Sequence, residues 1–163
     1  MTPAVHVNLC YDLKGGTMTT ADKQILFACT QNAVRSVIAK GLFETKSYSP
    51  AGRAVSCGVI EGPLDGFVVA VLQEKGIDVS RHESQVFEAL DPANFELIVS
   101  FSREAEDKAR RWANEGCETL FWDVPPPHTN ERSRDTTLES YRQLRNQIDR
   151  LLTDYFAVYY QKT

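Results

Sequence analysis

The chain has 163 residues, 42% hydrophobic and 25% charged, with 18 Lys and Arg against 22 Asp and Glu for a formal net charge of −4. It is long enough for one buried core, too apolar for wholesale disorder, and of the wrong sign for a dedicated nucleic-acid binder, which needs a basic surface to displace counterions. No apolar run is long enough to span a bilayer, and the first residues lack the cationic start and apolar core of a secretory signal, so no membrane partner and a cytoplasmic location are expected.

Residues 1–22 have weak periodicity and a Gly15–Gly16 break, and they read as a weakly structured extension in which Met18 is an alternative start. A single domain is expected over 23–163. Ile25, Leu26, Phe27 and Ala28 form a short apolar run ending at Cys29, which suits a strand buried on both faces. A helix is predicted over 35–44, with Val34, Ile38, Leu42 and Phe43 available for one face. A second strand is expected over 54–59. A second helix should open at Pro63 and run to Lys75, with Val68, Val71 and Leu72 inward and Gly76 as its stop.

Leu97, Ile98 and Val99 mark a third strand, followed by a polar helix over 104–113 and a fourth strand over 119–122. Pro125, Pro126 and Pro127 then force an irregular loop, because proline cannot enter a helix interior. The last helix is the clearest element: Leu138, Tyr141, Leu144, Ile148, Leu151, Leu152, Tyr155, Phe156 and Tyr159 recur at helical spacing. Alternating strands and helices predict an α/β three-layer sandwich. Its four-stranded parallel sheet takes the open, flavodoxin-like order 2-1-3-4, with helices on both faces. Ligands of such sheets collect at the carboxyl ends of the strands, which is where Cys29 falls.

Cys29-Thr30-Gln31-Asn32-Ala33-Val34-Arg35-Ser36 joins the first strand to the first helix. A loop of this length can curl so that consecutive backbone N–H groups face one concavity and cradle an oxyanion. The following helix adds its positive end and unpaired first-turn donors, and Arg35 adds a planar fork that matches two phosphate oxygens. The same field favours the nucleophilic thiolate form of a cysteine, so anion binding and covalent attack arise from one loop.

The other cysteines, Cys10, Cys57 and Cys117, show no C-x-x-C and no spaced Cys/His set. Neither a metal site, nor a cofactor, nor a disulfide framework is therefore expected. Motifs for nucleotide binding, zinc proteolysis and serine hydrolysis are absent as well.

The C-x-x-N-x-x-R-S string resembles that of the low-molecular-weight protein tyrosine phosphatases and the related arsenate reductases. The similarity continues through Ala54-Val55-Ser56-Cys57-Gly58, through the run from Val71 to His82, and through Trp122-Asp123-Val124-Pro125. It implies Cys29 as nucleophile, Arg35 as clamp, and a phosphate loop of Thr30, Gln31, Asn32, Ala33, Val34, Arg35 and Ser36. Asn32 would hold the loop's shape, Ser36 would donate to the thiolate, and Ser56 and His82 would bond to the asparagine. The implied activity is phosphomonoester hydrolysis through a cysteinyl-phosphate. Its substrate would be a phosphotyrosine protein or a small aryl phosphate, with inorganic phosphate, sulfate or vanadate as anion ligands.

The family's general acid, an aspartate directly before proline, is not in place, since Pro126 aligns with it. Asp123, His128 or no residue at all remain as readings, with Asp123 favoured and slow turnover expected. Alternatives to hydrolysis are a phosphate-recognition module without turnover, or arsenate reduction with an external thiol. Val34 stands where many relatives carry a second cysteine, which leaves Cys57 as a candidate to trap an oxidised Cys29 as a disulfide.

Overall fold

Four short apolar segments lie side by side because each has apolar residues on both of its faces. In the computed structural model, which describes residues 10–11, 17–18, 23–46 and 53–159, these are β3 (Gln24–Cys29), β4 (Ala54–Gly58), β5 (Phe95–Ser100) and β6 (Glu118–Phe121). They form one parallel sheet in the order β4-β3-β5-β6, the expected 2-1-3-4. Upstream, β1 (Cys10–Tyr11) and β2 (Thr17–Met18) pair antiparallel. The expected weak structure of the remainder of 1–22, with its Gly15–Gly16 break, falls outside the described residues.

Alternation along β3 sorts the core. Ile25, Phe27 and Cys29 face one side, packed with α1 (Arg35–Glu44), α2 (Gly66–Gln73) and α4 (Arg134–Tyr159). Leu26 and Ala28 face the other, with Cys57, Phe87, Ile98 and the Ala105 and Ala109 stripe of α3 (Arg103–Trp112). A register irregularity sets Gln24 opposite Phe95 but Ile25 opposite Leu97, so Glu96 is the extra residue. The bulge turns Phe95 to the α3 side, although Leu97 and Val99 face α4. At the centre of the larger layer Phe156 meets Phe43 edge-on at 4.9 Å between ring centroids and Phe27 at 6.4 Å.

Several boundaries differ from expectation, three of them with a physical reason. The second helix begins at Gly66 rather than Pro63, because the Asp65 carboxylate accepts the Phe67 N–H and caps it there. The last helix begins at Arg134, four residues before Leu138, with the Ser133 hydroxyl accepting the Thr136 N–H. Strand two stops at Gly58, where the chain turns beneath the loop that follows β3. No helix among the described residues is long and apolar enough to cross a membrane.

Candidate active site

β3 delivers Cys29 to the carboxyl edge of the sheet, and α1 starts six residues later at Arg35. Between them the chain reverses at Asn32, whose φ of 54° makes it the one described residue other than glycine in the left-handed region. Asparagine tolerates that conformation better than other side chains because its short amide can bond locally.

The hydrogen bonds of this loop all run one way. Val59 N–H donates to the Cys29 carbonyl (3.2 Å), and Ile60 N–H to the Thr30 carbonyl (3.0 Å). The Ser84 hydroxyl donates to the Gln31 carbonyl (2.9 Å). His82 Nε2 lies 2.9 Å from the Asn32 carbonyl, which can only accept, so that nitrogen carries the proton. Four successive carbonyls are thus held from outside. Among the described residues, no N–H from Thr30 to Ser36 donates to a protein acceptor. Unlike α2 and α3, capped by Asp65 and Ser102, α1 has no side-chain cap and no acid in its first turn. These donors remain for an anion, which is the condition of an oxyanion cradle.

The nucleophile sits at the end of a directed chain. Gln85 N–H donates to Asn32 Oδ1 (3.1 Å), Asn32 Nδ2 donates to Ser36 Oγ (2.9 Å), and Ser36 Oγ lies 3.0 Å from Cys29 Sγ. With its oxygen already accepting from Asn32, the Ser36 hydroxyl directs its own proton at the sulfur. A donor aimed this way stabilises a thiolate. Asn32 and Ser36 are fully buried and Cys29 is only 2% exposed, so water does not dilute these bonds.

Arg35 is braced by the neighbouring strands' exits: Nη1 donates to the Phe101 carbonyl (2.8 Å) and the Val124 carbonyl (2.9 Å). That leaves Nε and Nη2 of the fork for two anion oxygens. Val124 is buried, while Asp123 beside it is exposed and one residue from this brace. His128 is also exposed, its backbone N–H fastened to Ser140 of α4.

Some expectations need correction. The resemblance puts Ser56 and His82 on the asparagine; His82 bonds its backbone carbonyl, but Ser56 reaches it through Gln85, whose Nε2 donates to the Ser56 carbonyl (2.9 Å). Cys57 is no partner for Cys29: it pairs in register with Ala28 and faces α3, whereas Cys29 faces α4. A disulfide needs Cβ atoms about 3.5–4.5 Å apart and converging, which side chains on opposite sheet faces do not offer. Burial foremost, then Cys29 and Glu88, pushes the Cys57 thiol well above its ordinary range.

The sequence reading missed Ser84, Gln85 and the Phe101 and Val124 carbonyls. A backbone acceptor has no residue-type signal, and Ser84 and Gln85 were detectable only as neighbours of His82. It also missed why residue 58 is glycine. A Cβ there would lie 2.6 Å from the Ile60 carbonyl oxygen, 2.7 Å from Asn32 N and 2.8 Å from Gln31 C.

Comparison with known proteins gives the following. A family model described as "Low molecular weight phosphotyrosine protein phosphatase" matches residues 24–162. The glutaredoxin arsenate reductase of Synechocystis sp. is 24% identical over 128 residues, covering 77% of this chain and 90% of its own. The low molecular weight protein tyrosine phosphatase from T. tengcongensis superposes with a TM-score of 0.69 at 23% identity, over 83% of this chain and 98% of that one. Vibrio vulnificus Wzb in complex with benzylphosphonate gives 0.64 at 20% identity, over 82% and 97%. At these identities the two structures speak for the fold.

Proposed function

Since the chain belongs to the low molecular weight phosphotyrosine protein phosphatase family, which here has both phosphatases and arsenate reductases as neighbours, we propose that it is a cysteine-dependent phosphomonoester hydrolase acting on phosphotyrosine or a small aryl phosphate. Residues 23–163 would be its catalytic unit, with 1–22 outside it. The observation that carries the reading is the inverted loop, with carbonyls bound from without and N–H groups left around Cys29.

Cys29 Sγ attacks phosphorus while the phosphoryl oxygens rest on the loop N–H groups and the Arg35 fork. The P–O bond to the alcohol breaks, and the leaving oxygen departs with the bonding pair. Asp123, next to the residue that braces Arg35, supplies a proton to it. Water then attacks phosphorus and gives a proton back to Asp123, and the S–P bond breaks with its pair on sulfur, releasing inorganic phosphate and restoring the thiolate held by Ser36. Little covalent machinery is required beyond positioning and charge stabilisation. Phosphate, sulfate and vanadate fit the same donors, and the benzylphosphonate bound by a neighbour has the shape of the proposed substrate end.

One observation weighs against an internal arsenate relay. Among the described side chains no second sulfur faces Cys29: Cys57 lies across the sheet, and Cys117 precedes β6 at the sheet's opposite end. The exit of β5 reads Ser100-Phe101-Ser102. Arsenate reduction would therefore draw on an external thiol.

The test is hydrolysis of p-nitrophenyl phosphate. Turnover by the wild type, abolished in Cys29→Ser while phosphate affinity is retained, is the expected result. Phosphate binding without turnover would replace the hydrolase by a recognition module, and glutathione-dependent arsenite production would replace it by a reductase.

A further inference from the structure

We propose that Ser84 and Gln85 are positioning residues that keep the phosphate loop turned inside out for anion binding and tie it to the Ile60–Gly62 wall beside it. The phosphate loop faces its N–H groups inward only while something outside takes its carbonyls, because a peptide unit that rotates to satisfy its carbonyl elsewhere withdraws the neighbouring N–H from the concavity. Cys29 and Thr30 are held by backbone donors that come with the β4 turn. Gln31 has no such donor. Its carbonyl is held by the Ser84 hydroxyl, which at the same time accepts the Gly62 N–H at 3.1 Å. One side-chain oxygen therefore fastens the cradle to the adjoining loop.

That adjoining loop borders the site. Ile60 is 52% exposed, the more exposed of the two large apolar side chains that protrude among the described residues, and its own N–H is bonded to Thr30. Gly62 has no room for a side chain, since a Cβ would fall 2.8 Å from that of Gln31. Gln85 completes the fastening from below. Its N–H orients the Asn32 amide, its carbonyl accepts the Gly58 N–H (2.8 Å), and its side chain reaches the Ser56 carbonyl. Removing the Gln85 side-chain amide takes away its bond to Ser56, leaving only backbone pairing of this segment to Gly58, and loosens the donor that orients the Asn32 amide. Removing the Ser84 hydroxyl frees the Gln31 peptide to rotate.

The proposal rests on the hydrolase reading only for its kinetic consequence, and its primary readout is independent of turnover. Titration calorimetry with inorganic phosphate is performed on wild type, Ser84→Ala, Ser84→Thr, Gln85→Leu and, as a distant control, Ser133→Ala, with thermal unfolding of each. Ser84→Ala and Gln85→Leu should weaken phosphate binding about tenfold with an unfolding midpoint near the wild type's. Ser84→Thr, which keeps the hydroxyl, should restore affinity, and Ser133→Ala should leave it unchanged. If turnover is present, the loss should appear in KM with kcat near the wild type's, since ground and transition states use the same N–H groups. Unaltered phosphate affinity in both loss variants, or a loss matched in Ser133→Ala, overturns the assignment. Absence of turnover in the wild type overturns the hydrolase reading and leaves this one to the calorimetry.

Discussion

In the proposed hydrolase, one side chain, Asp123, would assist the bond-breaking step. Asp123 is exposed, and the neighbouring Val124 carbonyl is held 2.9 Å from the Arg35 guanidinium. Its backbone is therefore registered to the clamp although no proline follows it directly. Asp123→Asn should lower kcat for phosphotyrosine on the order of 10² to 10⁴. On p-nitrophenyl phosphate the loss should be under about tenfold, because that leaving group departs without a proton. Comparison of kcat on the two substrates checks it, and an equal loss on both would remove Asp123 from the role of acid. Cys29 and Arg35 could be named from residue type and spacing, and the Asn32–Ser36 pair from the family resemblance. For the proton donor the sequence left Asp123, His128 or no residue at all, and the bond of Arg35 to the Val124 carbonyl favours Asp123, the residue beside it.

Between elements, the close approach of β4 to the loop after β3 is set by Gly58. The atoms a Cβ would strike are backbone atoms of Gln31, Asn32 and Ile60, which cannot rotate away like a flexible side chain. Gly58→Ala should displace the loop, weakening phosphate affinity by more than tenfold and costing about 1–3 kcal/mol of stability through overpacking. Calorimetry and denaturant unfolding measure the two effects. The elements themselves were readable: α1 starts and stops at the expected residues, and Val68, Val71 and Leu72 are fully buried as their spacing demanded. The misplaced start of α2 arose because Pro63 and Asp65 are both good start signals, and the Asp65 bond to Phe67 N–H won.

Across the whole molecule, the sheet edge opposite the site holds a titrating group that works against the fold at neutral pH. Glu96, the bulge residue of β5, is half-buried. Burial raises its carboxyl above the ordinary range, only partly offset by Arg53 and Lys23. A raised carboxyl contributes stability that is fully present below its unfolded value and is lost as pH rises through its folded value. Glu96→Gln should therefore raise the unfolding temperature at pH 7, with the advantage shrinking toward pH 4. Thermal scans at both pH values check the sign, and a Gln variant less stable at pH 7 would mean that Lys23 and Arg53 outweigh burial.

From the amino-acid order alone came the α/β alternation, the inward faces of the helices, the strand-end cysteine and the Cys-to-Arg spacing. These are local properties, encoded by periodicity and residue type within a few turns of chain. The tertiary structure alone decided which carbonyls brace Arg35, that Ser84 and Gln85 fasten the loop, and that Cys57 faces away from Cys29. Those depend on strand register and on backbone groups from segments 22 to 89 residues apart, and a peptide carbonyl looks alike whichever side chain it carries.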